Sequence, residues 1–302
     1  MPELPEVETI CRSLKPHILN KVIADMAVFW PEALVGGGMP DATNPSDTNP
    51  GNTNLVDADL DRDELAFPAS HIVGRTVVNL SRRGKYLLVD LSKGVTLLIH
   101  LRMTGQLIYH DTPQIVANIA KHTHVIFYFE EGEMHYVDPR KFGRIQIVRT
   151  LDVPSLLEKL GPEPLDEFFE FDALGLRLAE RHKTASIKSA LLDQEVVAGL
   201  GNIYTDEVLF AAGVRPNRPV QDLKASEIIL IHQAIREILA ESIDFQGTTF
   251  RDYRDANGKV GKYKKSLKVY GRNGKTCIVC KTKLISEKIA GRVSCYCPNC
   301  QQ

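Results

Sequence analysis

No run of about 18 apolar residues occurs anywhere in this chain of 302 residues, which excludes a membrane-spanning helix. The N-terminus lacks the basic and then apolar order of a secretory signal and carries acidic residues in a helical pattern instead. A cytoplasmic location with reduced thiols is the expectation. No internal repeat is present, and a net charge of −1 leaves no overall excess of either sign to draw in an oppositely charged partner.

What is present is an ordinary soluble composition, 43% hydrophobic and 25% charged, at a length sufficient for two domains with cores of their own. The charge is unevenly spread. Residues 251–302 hold 13 Lys and Arg against three acids, a net of +10, while residues 36–66 hold seven acids against Arg62. The basic segment favours a nucleic-acid partner that the whole-chain charge hides.

The apolar spacing of Val7, Ile10, Cys11 and Leu14 predicts a helix ending near Pro16, followed by a short strand over 21–30. Residues 36–63, rich in Gly, Asn, Asp, Thr and Pro, read as a disordered acidic insertion whose charge would repel a phosphate backbone. β-Branched and aromatic runs at 86–91, 96–101, 124–129, 134–137 and 144–148, with turns at Lys93-Gly94 and Glu131-Gly132, predict two packed antiparallel sheets. Residues 151–164, containing Gly161-Pro162-Glu163-Pro164, read as a linker. Helical periodicity then takes over at 168–181, 186–193, 202–212 and 225–242. The fold class expected is α+β and multidomain: an N-terminal antiparallel β-sandwich with flanking helices over 1–150, then a helical domain and a cysteine-bearing hairpin.

Met1-Pro2-Glu3-Leu4-Pro5-Glu6 opens the chain. Removal of Met1 leaves Pro2 as a secondary amine, and α-amino groups titrate near about 7.7–8.0, so a useful fraction is unprotonated at neutral pH. Attack by such an amine on an aldehyde-like carbon gives a cationic iminium, an electron sink for elimination. Glu3 and Glu6 offer carboxylates for the proton transfers. The same residues also make an ordinary helix start, with Pro5 in the first turn and acids at the positive end. The two readings are compatible.

Cys277-Ile-Val-Cys280 is followed, after sixteen residues, by Cys297-Pro-Asn-Cys300. Two such pairs at this separation fit one Zn2+ held by four thiolates on hairpin turns. A redox or disulfide pair is the alternative, disfavoured by the reducing compartment and the doubled motif. Four thiolates leave no open coordination position, so the zinc would be structural. Cys295 shares a facing with Cys297 and is set apart only by its distance from the turn. Cys11, on the apolar face of the first helix, reads as core.

Further stretches have a plain reading of their own. Ser81-Arg82-Arg83-Gly84-Lys85 puts Lys85 at the end of an apolar strand, where a charge is ordinarily solvated or protects an edge. His100-Leu-Arg-Met103-Thr-Gly105 and Asp138-Pro-Arg140-Lys-Phe142-Gly143 read as strand-end turns, and in Lys121-His122-Thr-His124 the second histidine has the character of a polar core residue. Gly199-Leu-Gly201-Asn202 reads as a turn and helix cap whose free N–H groups can face an anion.

Together and in this order, these motifs resemble the formamidopyrimidine-DNA glycosylase family over nearly the whole chain, except about residues 36–63. The resemblance implies a bifunctional DNA glycosylase and abasic-site lyase of base excision repair. Its partner would be double-stranded DNA containing oxidised purines, such as 8-oxoguanine and formamidopyrimidines, or abasic sites. Pro2 would be the Schiff-base nucleophile, with Glu3 handling protons and Glu6 supporting the pocket. Lys85 would assist β-elimination, and Arg292, in Gly291-Arg292 before Tyr296-Cys297-Pro298, would grip phosphate and serve δ-elimination. Met103, Arg140 and Phe142 would fill the gap left by a flipped base, and His122, Lys183 and Asn202 would contact phosphates. The organisation implied is a helix–two-turn–helix DNA-binding domain over 165–250, a loop over 251–267 closing on the extruded purine, and a zinc finger over 268–302. A monomer is expected, without redox or organic cofactor or membrane contact, working at the bacterial nucleoid during repair. Val293-Ser294-Cys295 departs from the small, Thr and aromatic or His residues usual in the family. Pro2-Glu3-Leu4-Pro5-Glu6 favours this purine branch over the endonuclease VIII-like branch, with its Pro-Glu-Gly-Pro opening. That branch and a non-catalytic damage-binding protein are the alternatives.

Overall fold

The structure is a computed structural model that describes residues 1–35, 71–112, 114 and 119–302. The acidic insertion expected over 36–63 lies outside the described residues. The chain forms two compact units. Of the described residues, the first comprises those within 1–35 and 71–158 together with Phe245–Lys264, and the second comprises Lys159–Asp244 with Lys265–Gln302.

The first unit begins with helix α1 (Leu4–Ile18). The strands described are β1 (Ile23–Val28), β2 (Leu34–Val35), β3 (Val77–Arg83), β4 (Tyr86–Leu91), β5 (Val95–His100), β6 (Gln106–His110), β7 (Thr123–Phe129), β8 (Glu133–Val137) and β9 (Arg144–Arg149). One sheet has the order β1-β7-β8-β6 and the other β2-β9-β5-β4-β3. All pairings are antiparallel except that of β2 with β9, which is parallel. Val7, Ile10, Leu14 and Ile18 of α1 share one core with Leu87, Leu97 and Ile99 of the larger sheet and Leu107, Val125 and Phe127 of the smaller. Each such side chain, fully buried, contributes about 1.5–3 kcal/mol. That shared core makes the two sheets a sandwich.

α1 runs two residues past Pro16, where the sequence predicts an end. Proline removes one N–H from the ladder, but near the last turn this is the only bond lost. The Leu19 N–H still closes on the Lys15 carbonyl (3.1 Å), and Ile18 is buried in the core. β2, β3 and β6 are additions to the expected strands. β6 is short and pairs with β8 from Gln106↔Val137 to His110↔Glu133. A short helix, α2 (Val153–Leu156), occupies part of the expected linker.

Residues 245–264 strap the first unit. Ala256 N–H donates to Ser13 Oγ of α1 (3.1 Å), Gln106 Nε2 to the Asp252 carbonyl (2.7 Å), and Tyr109 N–H to the Ala256 carbonyl (2.8 Å). The base of the strap is closed by Lys262 N–H to Phe245 O (2.9 Å) and Tyr263 N–H to Gly247 O (3.0 Å). The closure is so tight that a Cβ on Gly261 would lie 2.2 Å from the Gly247 carbonyl oxygen.

In the second unit α3 (Phe171–His182), α4 (Ile187–Leu192), α5 (Asn202–Ala211) and α6 (Ala225–Asp244) are the four expected helices, with the first starting three residues late. Between α4 and α5 the Gln194 side chain braces the turn. Its Nε2 donates to the carbonyls of Leu192 (3.0 Å) and Leu200 (2.9 Å), and its Oε1 accepts the Gly199 N–H (2.9 Å). The hairpin β10 (Ile285–Ile289) and β11 (Arg292–Tyr296) follows. Ala290 and Gly291 both have positive φ (49° and 74°), as a two-residue type I′ turn requires.

Candidate active site and nucleic-acid interface

In the first unit Pro2, Glu3 and Glu6 are all buried at the start of α1. Glu6 is the connecting residue. Its Oε2 accepts the Glu3 N–H (2.8 Å), and its Oε1 accepts the N–H of Thr248 (2.7 Å), 242 positions along the chain. One carboxylate thereby fixes both the residue after Pro2 and the base of the 245–264 strap. Tyr253 lies alongside, its hydroxyl donating to the Gln246 carbonyl (3.2 Å). Burial, then the Glu6 charge, push this phenol up from its ordinary pKa and keep it a donor.

Lys85 is buried, 7% exposed, at the turn between β3 and β4. That turn is tied to α1 by Arg82, whose Nε donates to Glu8 Oε2 (3.0 Å) and whose Nη1 donates to the Gly84 carbonyl (3.1 Å). Burial acts to raise the Glu8 carboxyl, but Arg12 and Arg82 outweigh it and hold the group below its usual range. Burial, then the charges of Arg102 and Lys85, hold the His100 imidazole well below its usual pKa. The neutral ring accepts the Arg102 N–H at Nδ1 (3.0 Å), supporting the turn that carries Met103.

Met103 and Phe142 are 41% and 37% exposed, and Arg140 stacks its guanidinium 4.5 Å from the Phe142 ring centroid. Large side chains held out in this way are available to replace a missing base in a stack. His122 is exposed with φ 74°, while His124 is buried and hydrogen-bonded at Nε2 to the Asp138 carbonyl (2.7 Å), the polar core residue expected of it.

In the second unit Lys183 is exposed at the C-terminal end of α3. Gly201 is the N-cap of α5 and Asn202 its first helical residue. One Asn202 Nδ2 proton goes to the Val293 carbonyl (3.1 Å), and its Oδ1 is buried without a hydrogen-bond partner among the described residues. Arg292 opens β11 directly after the hairpin turn. The Val293-Ser294-Cys295 stretch that departs from the family's usual residues seats this strand. The Val293 carbonyl accepts from Asn202, Ser294 Oγ donates to Asp206 Oδ1 (2.7 Å), and the Cys295 N–H donates to Asp206 Oδ2 (2.9 Å). Asp206 in turn accepts Lys188 Nζ at 2.6 Å in a fully buried pair. Glu207 accepts the N–H groups of Lys268 (2.7 Å), Val269 (2.9 Å) and Tyr270 (2.7 Å). Sequence reasoning missed Lys188, Asp206 and Glu207. The available signal was two adjacent acids inside an otherwise apolar helix.

The Sγ atoms of Cys277, Cys280, Cys297 and Cys300 lie within 4.8 Å of one another, with Cys280–Cys297 at 3.4 Å and Cys277–Cys300 at 3.9 Å. Zn–S bonds of about 2.3 Å in a tetrahedron put sulfurs about 3.8 Å apart, so the donor set fits one structural zinc. Cys295 stands outside this group, and burial pushes its thiol up to about 11.

Comparison with known proteins gives a consistent result. Residues 1–145 match the formamidopyrimidine-DNA glycosylase N-terminal domain, 160–254 the formamidopyrimidine-DNA glycosylase H2TH domain, and 274–302 the zinc finger found in FPG and IleRS. A formamidopyrimidine-DNA glycosylase of Desulfitobacterium hafniense is 45% identical over the full length of both chains. One from Desulforamulus reducens is 44% identical, covering 100% of this chain and 99% of the relative. Among solved structures, a Lactococcus lactis FPG mutant in complex with a Fapy-dG containing DNA is 35% identical with a TM-score of 0.83, over 100% of both chains. The Lactococcus lactis Fpg bound to an abasic site containing DNA is 34% identical with a TM-score of 0.81, over 99% of both chains.

Proposed function

The chain belongs to the formamidopyrimidine-DNA glycosylase family of base excision repair, and from that premise we propose that it excises oxidised purines from duplex DNA and then nicks the strand as an abasic-site lyase. The observation that carries this reading is the Glu6 carboxylate, which joins the Glu3 N–H, one residue from Pro2, to the Thr248 N–H of the strap. A substrate base held by the strap would then sit in register with the N-terminal amine.

With Met1 in place the Pro2 nitrogen is an amide, so processing must precede chemistry. The free amine attacks C1′ of the damaged nucleotide, and the N-glycosidic bond breaks with its electron pair leaving on the base. The Pro2 nitrogen gives up its N–H proton, which balances the proton taken up by the departing base. Glu3 then protonates the sugar ring oxygen as the ring opens, and the nitrogen lone pair completes the C1′ iminium. Removal of a C2′ proton expels the 3′ phosphate, with Lys85 assisting the proton transfer. Removal of a C4′ proton expels the 5′ phosphate, for which Arg292 is the donor. Met103, Arg140 and Phe142 occupy the space of the extruded nucleotide. His122, Lys183 and Asn202 hold the phosphates, and the zinc holds the hairpin that presents Arg292.

The test is product analysis with processed protein on two duplexes, one containing 8-oxoguanine opposite cytosine and one containing thymine glycol. Release of 8-oxoguanine with a strand break phosphorylated at both ends is expected. Preference for thymine glycol would assign the pyrimidine branch instead, and binding without cleavage of either duplex would make the protein a damage-binding module.

A further inference from the structure

Three loops that carry proposed DNA contacts meet at Asp138, which is fully buried. Asp138 Oδ1 accepts the Thr104 hydroxyl and the Arg140 N–H (3.2 Å), while Oδ2 accepts the Gly143 N–H (2.8 Å) and the Tyr136 hydroxyl (3.2 Å). Its own N–H donates to the His122 carbonyl (3.0 Å), and its carbonyl accepts His124 Nε2. Thr104 follows Met103, while Arg140 and Gly143 bracket Phe142. In each loop one non-glycine residue has positive φ: Arg102 (49°), His122 (74°) and Lys141 (58°). Left-handed backbone at side-chain-bearing residues persists only where the surroundings over-determine it. The approach is close as well, for a Cβ on Gly143 would lie 2.2 Å from the Tyr136 hydroxyl.

We propose that Asp138 is the positioning residue for the whole wedge. Its carboxylate ties the loop of Met103 to the loop of Arg140 and Phe142, and its backbone N–H holds the His122 carbonyl beside them. This deepens the function proposed above and rests on it where the wedge is concerned. All four groups that reach the carboxylate are donors, two on each oxygen. An amide in its place keeps one accepting oxygen and turns an NH2 towards one hydroxyl, which can rotate to accept, and one backbone N–H, which cannot. Asp138→Asn therefore strands that N–H without changing the size of the side chain. A merely structural acid would lower activity on every substrate alike. A wedge-positioning acid matters most where a nucleotide must be extruded from a paired stack, and little where the opposite nucleotide is already missing.

The experiment compares wild type, Asp138→Asn and Thr104→Val on 8-oxoguanine opposite cytosine and on the same strand with an abasic analogue opposite the lesion. Loss of charged hydrogen bonds of this kind predicts about a tenfold or greater fall in base release by Asp138→Asn on the paired duplex, and about twofold or less on the unpaired one. Thr104→Val, which frees only the Met103 loop, should fall between wild type and Asp138→Asn on the paired duplex. Equal losses on both substrates, or no loss on the paired one, overturn the proposal. Amide hydrogen exchange on the DNA-free proteins separates this from the functional reading. Asp138→Ala, which removes all four contacts, should raise exchange in peptides covering 100–105 and 138–144 together, with β4 and β5 unchanged. Exchange rising in only one of these loops overturns the common clamp, whatever the substrate proves to be. Wild type that releases no base from either duplex, while the loops respond together, overturns the functional reading and the wedge role but leaves the clamp established.

Discussion

The buried Lys188–Asp206 pair gives a prediction whose size follows from the geometry. The two side chains are 0% and 1% exposed with Nζ and Oδ1 2.6 Å apart, and Asp206 also accepts from Ser294 and Cys295. Lys188→Met keeps the length of the stem and removes the charge, leaving a carboxylate in the interior with two neutral donors. Breaking a buried pair from one side costs about 3–5 kcal/mol. That is a large share of the roughly 5–15 kcal/mol that holds a domain folded. Burial pushes the Asp206 carboxyl up, and Lys188 chief among its partners pulls it back. Without Lys188 it rises further. A carboxyl raised in the folded state keeps a proton that the unfolded chain has lost above about pH 3.9, so the deficit should grow as pH rises from there towards neutrality. Adding Asp206→Asn removes the stranded charge and should restore all but about 1–2 kcal/mol, because the amide oxygen can still accept one donor. Urea unfolding followed by far-UV ellipticity, to which the helices of the second unit contribute strongly, is the assay. A cost for Lys188→Met below about 1 kcal/mol, or a double variant less stable than the single one, would refute the reasoning.

The zinc site predicts one tightly held zinc per chain by metal analysis, lost in Cys280→Ser and retained in Cys295→Ser. Gly143→Ala forces a Cβ to within 2.2 Å of the Tyr136 hydroxyl and should destabilise the first unit by about 1–3 kcal/mol, read by fluorescence of Trp30, the chain's single tryptophan. His100 is held neutral in the fold while the unfolded chain takes up a proton below about pH 6.5, so stability should fall as pH drops below that value. His100→Gln should make that fall shallower in the same fluorescence experiment. Glu6→Gln places an NH2 against the N–H of either Glu3 or Thr248, and base release should drop by about tenfold or more, with faster amide exchange at 246–249.

Chemistry carried by adjacent residues was readable from the sequence. The Cys-x-x-Cys pairs are recognisable because covalent spacing alone brings two thiolates to one metal. The sandwich was readable because alternating and β-branched runs report burial directly. What the sequence hid depends on distant partners. Asp138 read as the start of a turn, and its bonds to Arg140 and Gly143 are those of one, but the donor that ties it to another loop, Thr104, lies 34 positions away. Lys188 went unremarked inside its expected helix, because nothing local announces Asp206 as its partner. The return of 245–264 to the first unit rests on bonds to Glu6, Ser13, Gln106 and Tyr109, which no local pattern encodes. Pro16 misled in the opposite direction, since the burial of Ile18 outweighs one lost backbone bond.

The central claim is that the chain works through the amine of Pro2, and borohydride reduction during turnover tests it most directly. Processed protein incubated with 8-oxoguanine duplex and borohydride should form a covalent DNA adduct, with mass mapping placing the modification on the peptide that begins at Pro2. Protein retaining Met1 should form none. An adduct on a lysine-containing internal peptide, or an equal yield from the unprocessed chain, would contradict the account.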